Sequence, residues 1–313
     1  MFFATSEGIL EMGFIIIDLE FNNMQNITRY FPNIYHEYSY LRQLTVQNEI
    51  IEIGAVKLDK FMKKTGEYKA YIKPSIFNVL NPKITEITGI KEEQLRAGIS
   101  FEDAMDGLEA FVEEDNIICS WATDDIVEII SNSNYHDYKS IQWIKRYLDI
   151  QDYCTKMLGH KKALGLKSAL EELKIKLDKK KLHDALNDAN YAADVFKRLY
   201  NGKIVKNYIV DDVYNMPSIR VKDLKNYNAN DIDVDFKCPK CINDVDIEYP
   251  LALFNWRFLS MGNCPKCNNK LLQEIIVKKT LTGEITYKNI ISSLDDIDYM
   301  NFAYKFKRIM QNK

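Results

Sequence analysis

A short hydrophobic run that ends in two carboxylates constrains this chain more than any other segment. Phe14-Ile15-Ile16-Ile17-Asp18-Leu19-Glu20 has the composition of a buried strand. Residues i and i+2 of a strand point to the same face, so Asp18 and Glu20 are predicted to lie side by side at its end. Two like charges so close repel, and burying them is costly unless cations compensate. Such oxygen ligands suit Mg²⁺ or Mn²⁺, but the pair alone fits equally well a strand that runs out into a solvated acidic turn.

Length and composition indicate a globular protein of two domains. The chain has 313 residues, of which 46% are hydrophobic and 28% charged. Its net charge of -3 gives no global positive field, so nucleic-acid binding would depend on local basic patches and metal. No apolar run approaches the roughly 20 residues of a membrane span, and the first residues lack the features of a signal peptide. We therefore expect a cytoplasmic protein without a membrane partner.

Strand and helix patterns alternate from Gly13 to about Gly202, which predicts a layered α/β domain. Strands are predicted over 50–58 and 67–73, with a turn at Lys64-Thr65-Gly66, and helices over 82–88 and 100–113. The aromatic stretch 22–48 is expected to form a loop or a short helix beside the site. The later part of the chain predicts two strands around Thr282-Gly283 and a helix from about 296 to 310. The expected domain limits are an N-terminal extension over 1–12, an α/β domain over 13–202, a linker over 203–235 and a cysteine domain over 236–313.

Two motifs far along the chain support the interpretation of Asp18 and Glu20 as metal ligands. His183-Asp184-Ala185-Leu186-Asn187-Asp188 opens the last long helix of the first domain, and Trp121-Ala122-Thr123-Asp124-Asp125 marks a turn from strand to helix. Together with Asp18 and Glu20 they supply four carboxylates and one histidine. Hydrolysis of a phosphodiester needs an activated water and a stabilised leaving oxygen, which two cations about 3.5 to 4 Å apart provide. A histidine with a pKa near ~6.5 can take the proton of that water at neutral pH.

With these motifs the chain resembles the DEDDh 3'-5' exonucleases of the ribonuclease H-like fold, in the sporulation-inhibitor-like and RNA-trimming branch. The resemblance covers about Gly13 to Tyr200, and Glu49-Ile50-Ile51-Glu52-Ile53-Gly54-Ala55-Val56 and Ile84-Thr85-Glu86-Ile87-Thr88-Gly89-Ile90 are typical of core segments in that family. It implies a three-layer α/β domain with a mixed sheet flanked by helices. It also implies that Asp18, Glu20 and Asp188 hold two Mg²⁺ or Mn²⁺ ions, with Asp18 bridging both, and that His183 is the general base.

The middle motif departs from the family pattern Trp-Gly-x-x-Asp. Ala122 stands in place of the glycine, and the spacing favours Asp125 over Asp124 as the third carboxylate, without excluding Asp124. The one that is not a ligand would only complement the dipole at a helix N-terminus. Phe21 follows the Asp-x-Glu motif and either stacks on a base or sugar of the substrate or belongs to the core.

Four of the six cysteines form two identical knuckles, Cys238-Pro239-Lys240-Cys241 and Cys264-Pro265-Lys266-Cys267. Four thiolates match one tetrahedral Zn²⁺ with a structural role, in preference to a redox pair or an iron-sulfur site. This spacing predicts a small zinc-ribbon domain. Aromatic and basic residues from Trp256 to Lys279 could contact nucleic acid or a protein partner, but nearby acidic residues fit a plain structural appendage equally well.

The predicted function is that of a 3'-5' exonuclease that removes nucleoside monophosphates from single-stranded 3' ends, with RNA slightly favoured over DNA. Its predicted catalytic residues are Asp18, Glu20, Asp125, Asp188 and His183. The first alternative is a nucleic-acid-binding or regulatory module of the same fold that has lost catalysis. The second is a redox or metal-storage role for the Cys-x-x-Cys pairs.

Overall fold

The computed structural model describes residues 12–44, 46–77, 79–113, 116–138, 141–178, 181–220, 224 and 227–311. The chain divides into two compact units, with the boundary between Val213 and Tyr214. Of the predicted N-terminal extension, only Met12 is among the described residues. The predicted linker 203–235 contains two short strands, and the domain limits set out above stay a prediction.

The first unit is a mixed α/β structure, as predicted. Its sheet has six strands in the described residues, in the order β3-β2-β1-β4-β5-β6. Strands β1, β2 and β3 form an antiparallel meander, β1, β4 and β5 run parallel, and β6 pairs antiparallel with β5. The strands are β1 (Phe14–Asn23), β2 (Asn48–Leu58), β3 (Lys64–Tyr71), β4 (Ile117–Ser120), β5 (Tyr147–Asp149) and β6 (Ile209–Val210). The helices are α1 (Ile34–Glu37), α2 (Pro82–Thr88), α3 (Glu92–Arg96), α4 (Phe101–Val112), α5 (Asp124–Tyr135), α6 (Ile150–Met157), α7 (Leu166–Glu172) and α8 (Ala185–Leu199).

The predicted turn at Lys64-Thr65-Gly66 is wrong, because these residues begin β3. The chain turns instead over residues 59–63. There the Asp59 carboxylate accepts hydrogen bonds from the N–H groups of Phe61 and Lys63, both at 2.9 Å. A side chain that bonds its own backbone in this way makes a tight turn without glycine, which is why the turn was missed.

The helix limits follow local signals that the sequence predicts. Pro82 begins α2 and Gly89 ends it with a φ of 73°. The Ser100 side chain caps α4 by accepting a bond from the N–H of Asp103 at 3.0 Å. Because these signals act within one turn of the chain, they need no tertiary contact to be recognised.

Helix α8 packs directly against β1 and β2. The buried side chains of Phe14 and Ile16 share one core cluster with Ala192 and Phe196 of this helix. The contact is closest at Gly54 of β2, where an added Cβ would lie 2.2 Å from the carbonyl carbon of Ala185. Glycine at this position therefore allows the first turn of α8 to rest on the sheet.

The aromatic stretch after β1 folds into α1 between two short 3-10 helices at Ile27–Arg29 and Ser39–Arg42. The segment 24–44 has its own buried core, which includes Ile27, Ile34 and Leu41 together with Ile76 and Phe77 from the chain after β3. This segment is therefore an ordered part of the first unit.

Where the structure describes the second unit, it contains a sheet of five strands, in which β11, β10, β9 and β8 follow one another and β7 also pairs with β10. The predicted strands around Thr282-Gly283 and the final helix are confirmed as β10, β11 and α9. The hairpin of β8 and β9 was missed, because register shifts near Tyr249 break the alternation that would have indicated it. The elements are β7 (Pro217–Arg220), β8 (Asp246–Phe254), β9 (Arg257–Asn263), β10 (Lys270–Thr280), β11 (Ile285–Ser293) and α9 (Asp296–Gln311).

In the described part of the whole chain, no helix is long and apolar enough to cross a membrane.

Candidate functional site

Asp18 and Glu20 lie on the face of β1 that α8 covers. Their alternation continues that of Phe14 and Ile16, which face α8 in the core. The register of β4 on β1 ends where Ser120 pairs with Ile17. Asp18 and Glu20 therefore follow the last residue of β1 that pairs with β4. At this edge of the sheet, side chains of other segments can approach them.

The backbone around His183 is held by the first turn of α8. His183 has a left-handed conformation with a φ of 64°, and its N–H donates a hydrogen bond to Oδ2 of Asp188 at 3.0 Å. Asp184 caps the helix by accepting from the N–H of Asn187 at 3.0 Å. The other carboxylate oxygen of Asp188, Oδ1, is buried and has no hydrogen-bond partner among the described residues.

These segments meet in one cluster. Ligand atoms of Glu20, His183 and Asp188 all lie within 4.8 Å of one another. A buried carboxylate oxygen without a partner is costly. Its position beside a second carboxylate is the arrangement that a divalent cation would satisfy, so the residues fit a metal site.

Asp125 and Asp124 differ in environment. Asp125 is buried, with 7% of its surface exposed, and its charge acts on Asp18. Its carboxylate also interacts with the N–H of Leu19 in β1. Asp124 is exposed at the start of α5. The structure thus brings Asp125 to the cluster and leaves Asp124 in solvent.

The carboxyl groups in and next to the cluster have raised pKa values, because each is buried and lies near the others. Burial, and then the charges of Asp125, Asp188 and Glu20, hold the pKa of Asp18 well above its ordinary value. Burial, followed by the charge of Glu52, raises the pKa of Glu20 to about 8. For Asp125, burial and the neighbouring Asp124 raise the pKa to about 8. Without a cation, Glu20 and Asp125 therefore keep their protons most of the time at neutral pH, and a bound cation would favour their charged forms.

An ion-pair network beside the cluster was missed by the sequence analysis. Lys69 Nζ of β3 lies 2.6 Å from Oε1 of the buried Glu52 and also pairs with Asp184. Glu52 is the register partner of Glu20. The sequence of β2 contains an indication of this network, because Glu52 is an acid in an otherwise hydrophobic strand and a buried acid needs a partner.

Phe21 is half-buried and follows a register shift, because Glu20 pairs with Glu52 while Phe21 pairs with Ile50. Such bulges redirect side chains beside active sites.

Ala122 has a φ of 77°, in the left-handed region where the family pattern has glycine.

Three histidines lie outside the cluster. His136 stacks on Phe101 with ring centroids 4.6 Å apart. His160 lies 2.8 Å from Glu172, and His36 is exposed. Their environments are those of packing and surface histidines.

The four cysteines of the second unit also converge. Their Sγ atoms lie within 4.8 Å of one another, at 3.6 Å for Cys238 and Cys267, 3.4 Å for Cys241 and Cys264, and 3.8 Å for Cys241 and Cys267. Sulfurs bound to a tetrahedral Zn²⁺ at about 2.3 Å are about 3.8 Å apart. All four are free thiols, so the cluster fits a closed metal site.

Hydrogen bonds favour the thiolate at one of these cysteines, Cys238. Burial raises the pKa of the Cys238 thiol, but bonds from the N–H groups of Lys240 and Cys241, together with the thiols of Cys267 and Cys241, outweigh burial and lower this pKa to about 6. The thiolate is the form that binds metal. Two basic residues singled out in this unit, Arg257 and Lys270, are paired with Glu274 and Asp296.

Comparisons with known proteins agree with this geometry. The family model RNase_T, described as Exonuclease, matches residues 15–196, more than half of the 313-residue chain. Two curated relatives named DNA polymerase III PolC-type, from Thermotoga maritima and Thermotoga petrophila, are 33% and 32% identical over 158 residues, or 48% of this chain. The chain matches only 10% of the length of each relative.

A crystal structure of a full-length 3'-exonuclease has a TM-score of 0.50 at 17% identity, and the match covers 60% of each chain. This likeness shows a shared fold. The ribonuclease H-like fold and the exonuclease resemblance predicted from the sequence are thus confirmed. With its mixed sheet, its cluster of carboxylates and the match over 15–196, the chain belongs to the RNase_T exonuclease family.

Proposed function

We propose that this protein is a metal-dependent 3'-5' exonuclease that releases nucleoside monophosphates from single-stranded nucleic acid. The observation that carries the proposal is the cluster of Glu20, His183 and Asp188, whose ligand atoms lie within 4.8 Å of one another. Asp18 and Asp125 interact electrostatically with the same cluster. Family membership makes this arrangement a candidate catalytic centre, whereas acidic clusters in general are common.

Asp18, Glu20, Asp125 and Asp188 are the proposed oxygen ligands that would hold two Mg²⁺ or Mn²⁺ ions. When bound, such ions lower the pKa of water and stabilise negative charge on the leaving oxygen. Asp188 contributes in two ways, because Oδ2 holds the backbone of His183 while Oδ1 remains available as a ligand.

His183 is the proposed general base. Its imidazole would take a proton from the attacking water as the new P–O bond forms and the bond to the 3'-oxygen breaks, and a solvent water would give the leaving 3'-oxygen its proton. His183 is exposed, so it can then pass the proton to solvent. Lys69 and the cap at Asp184 keep this part of the chain in place during the reaction.

The test is the release of mononucleotides from an end-labelled oligonucleotide with Mn²⁺ present. His183→Ala and Asp18→Ala are expected to lower the rate at least ~100-fold. His160→Ala, which changes a surface histidine, is the matched control and should keep the wild-type rate. Unchanged release in both site variants would overturn the proposal. A wild-type protein that binds the oligonucleotide without cleaving it would favour a module that has lost catalysis.

For the sugar of the substrate, we propose a preference for RNA. It rests on the Trp121 motif, which resembles that of the RNA-trimming branch, while the curated relatives carry the names of DNA polymerases. Digestion of matched RNA and DNA oligonucleotides under one condition decides the question. Equal or faster digestion of DNA would contradict the preference.

For the second unit, we propose that Cys238, Cys241, Cys264 and Cys267 hold one structural Zn²⁺. Sγ distances near those of a tetrahedral site support it. Free thiols persist in a reducing compartment, so we place the protein in the cytoplasm. One zinc per chain by elemental analysis is expected, and a disulfide found in its place would contradict the proposal. Contact of this domain with substrate or a protein partner stays a prediction.

A further inference from the structure

Exposed aromatic side chains are concentrated on one part of the first unit. Among its described residues, the exposed aromatic rings are Tyr30, Phe31 and Tyr40 of segment 24–44, Tyr135 at the end of α5, and Phe61 in a distant turn. Tyr40 and Tyr135 expose 38% and 42% of their surface. Exposed aromatic rings in this concentration favour a binding surface over chance exposure.

Two tyrosines of segment 24–44 and one of α5 form a common surface, here named the tyrosine platform (Tyr38, Tyr40 and Tyr135). The rings of Tyr38 and Tyr40 have centroids 6.4 Å apart and are nearly perpendicular. Tyr135 lies close enough to Tyr40 to raise the pKa of its hydroxyl, after the larger effect of burial. The Tyr40 hydroxyl donates a hydrogen bond to the carbonyl of Ile76 at 3.2 Å, which fixes this ring before any ligand arrives.

The platform is firmly connected to the catalytic cluster. Segment 24–44 begins directly after β1, the strand that carries Glu20, and helix α5 carries Asp125 in its first turn. Asn48 at the start of β2 donates a hydrogen bond to Glu128 of α5 at 2.6 Å. Ten residues of helix separate Asp125 from Tyr135, or about 15 Å at about 1.5 Å per residue. That span is about four stacked nucleotides at about 3.4 Å each.

The charges of segment 24–44 suit a polyanion, while the acidic residues of α5 lie mainly in its first two turns, at the end nearer the catalytic cluster. Segment 24–44 contains Arg29 and Arg42 and a single acidic residue, Glu37, so it is positive within a chain of net charge -3. The guanidinium of Arg42 lies 5.9 Å from the centre of the Tyr35 ring. The nearby Glu49 is buried, and the backbone N–H groups of residues 75–77 satisfy its carboxylate.

We propose that the tyrosine platform is a stacking surface for the bases of single-stranded nucleic acid, upstream of the terminal nucleotide that the catalytic cluster removes. The inference rests on the proposed function and deepens it, since it assigns a second contact to the same substrate. Aromatic rings stack on any base, so the platform adds affinity without sequence preference. It makes the enzyme prefer strands of several nucleotides over very short ones.

The test compares two probes with the full chain. The first is binding of a fluorescent single-stranded oligonucleotide of ten nucleotides, with Ca²⁺ in place of Mn²⁺. The second is hydrolysis of the p-nitrophenyl ester of a nucleoside 5'-monophosphate, which is too small to reach the platform. Tyr135→Ala and Tyr40→Ala are expected to weaken oligonucleotide binding by about five- to thirtyfold each. Hydrolysis of the ester should stay within twofold of wild type.

Two controls separate stacking from structural damage. Tyr135→Phe keeps the ring and should bind nearly as well as wild type, Tyr40→Phe keeps the ring without its bond to Ile76 and should bind more tightly than Tyr40→Ala, and Phe61→Ala removes an exposed ring far from the platform and should change nothing. Unchanged oligonucleotide binding in Tyr135→Ala, or an equal loss on both probes, would overturn the inference. If the wild type with Mn²⁺ hydrolyses neither the ester nor the oligonucleotide, the proposed function fails, while the binding series with Ca²⁺ still decides whether the platform stacks bases.

Discussion

The backbone N–H of His183 donates a hydrogen bond to Oδ2 of Asp188 at 3.0 Å, while Oδ1 of the same carboxylate is buried and has no partner in the part of the chain that the structure describes. One carboxylate thus fixes the loop of the proposed base and keeps an oxygen free for a cation. The six residues from His183 to Asp188 span the start of α8, so the first turn of one helix builds this half of the site.

Asp188→Asn separates these two roles. The amide oxygen of asparagine can still accept from His183, so the fold should be kept, and loss of a buried charge should raise the midpoint of thermal unfolding without metal. The amide nitrogen cannot bind a cation, so we expect oligonucleotide hydrolysis to fall at least ~100-fold. Thermal unfolding and hydrolysis are measured on one preparation. Activity within tenfold of wild type would show that Asp188 is not a ligand.

Asp125→Asn and Asp124→Asn form a matched pair of neighbouring acids. Asp125 is buried next to Asp18, whereas Asp124 is exposed. We expect Asp125→Asn to abolish most of the Mn²⁺-dependent hydrolysis and Asp124→Asn to lower it less than threefold. The measurement is the initial rate of mononucleotide release. The opposite order would make Asp124 the third carboxylate.

Stability of the metal-free protein should fall as pH rises. Glu20 and Asp125 have a pKa raised to about 8 in the folded chain, well above their ordinary values near ~4. The folded state therefore holds protons that the unfolded state has lost between about pH 4.5 and 8, and this contribution to the free energy of unfolding disappears as pH rises through that window.

Thermal unfolding in EDTA at pH 5.5, 7 and 8.5 measures the effect. Mn²⁺ should restore the midpoint most at pH 8.5, since it binds the charged carboxylates. Glu20→Gln, which removes one raised group, should flatten the pH dependence in EDTA. A midpoint in EDTA that rises steadily over this range would contradict the prediction.

Ala122→Gly should stabilise the protein, although glycine usually weakens folded structure. Ala122 has a φ of 77°, and a left-handed conformation costs residues other than glycine about 1 kcal/mol. Relief of this strain should exceed the added entropy of the unfolded chain, for a net gain of about 0.5 kcal/mol. Chemical denaturation measures the gain. Ala110→Gly, within α4, is the control and should lose up to about 1 kcal/mol.

Ile242→Asn should stabilise the second unit. Ile242 follows the first cysteine knuckle with a φ of 61° and an exposed side chain, while Asn268 holds the equivalent place in the second knuckle with a φ of 53°. A left-handed backbone conformation is strained for β-branched residues such as isoleucine, whereas asparagine adopts it more easily. We expect a gain of about 1 kcal/mol in denaturation of the zinc-loaded protein. Asn268→Ile should lose a similar amount, and equal stability of both variants would contradict the argument.

Local patterns sufficed for much of this molecule. The alternation of β1 places Asp18 and Glu20 on one face, and Pro82 and Gly89 delimit α2. The spacing of the cysteine knuckles predicts a metal-binding unit. These features could be predicted because each depends on only a few neighbouring residues. The turn at 59–63 and the hairpin of β8 and β9 escaped, since side-chain bonds and register shifts override the simple patterns there.

The sequence by itself determined the chemistry available to this protein: the types of ligand and base, the exonuclease family they resemble, and the strand and helix that carry them. Only the tertiary structure decided which side chains share one space. It buries Asp125 and exposes Asp124, pairs Glu52 with Glu20, and brings Lys69 to Asp184. Charge repulsion, burial and hydrogen bonding depend on distances through space, and residues more than a hundred positions apart meet only when the sheet and α8 have packed.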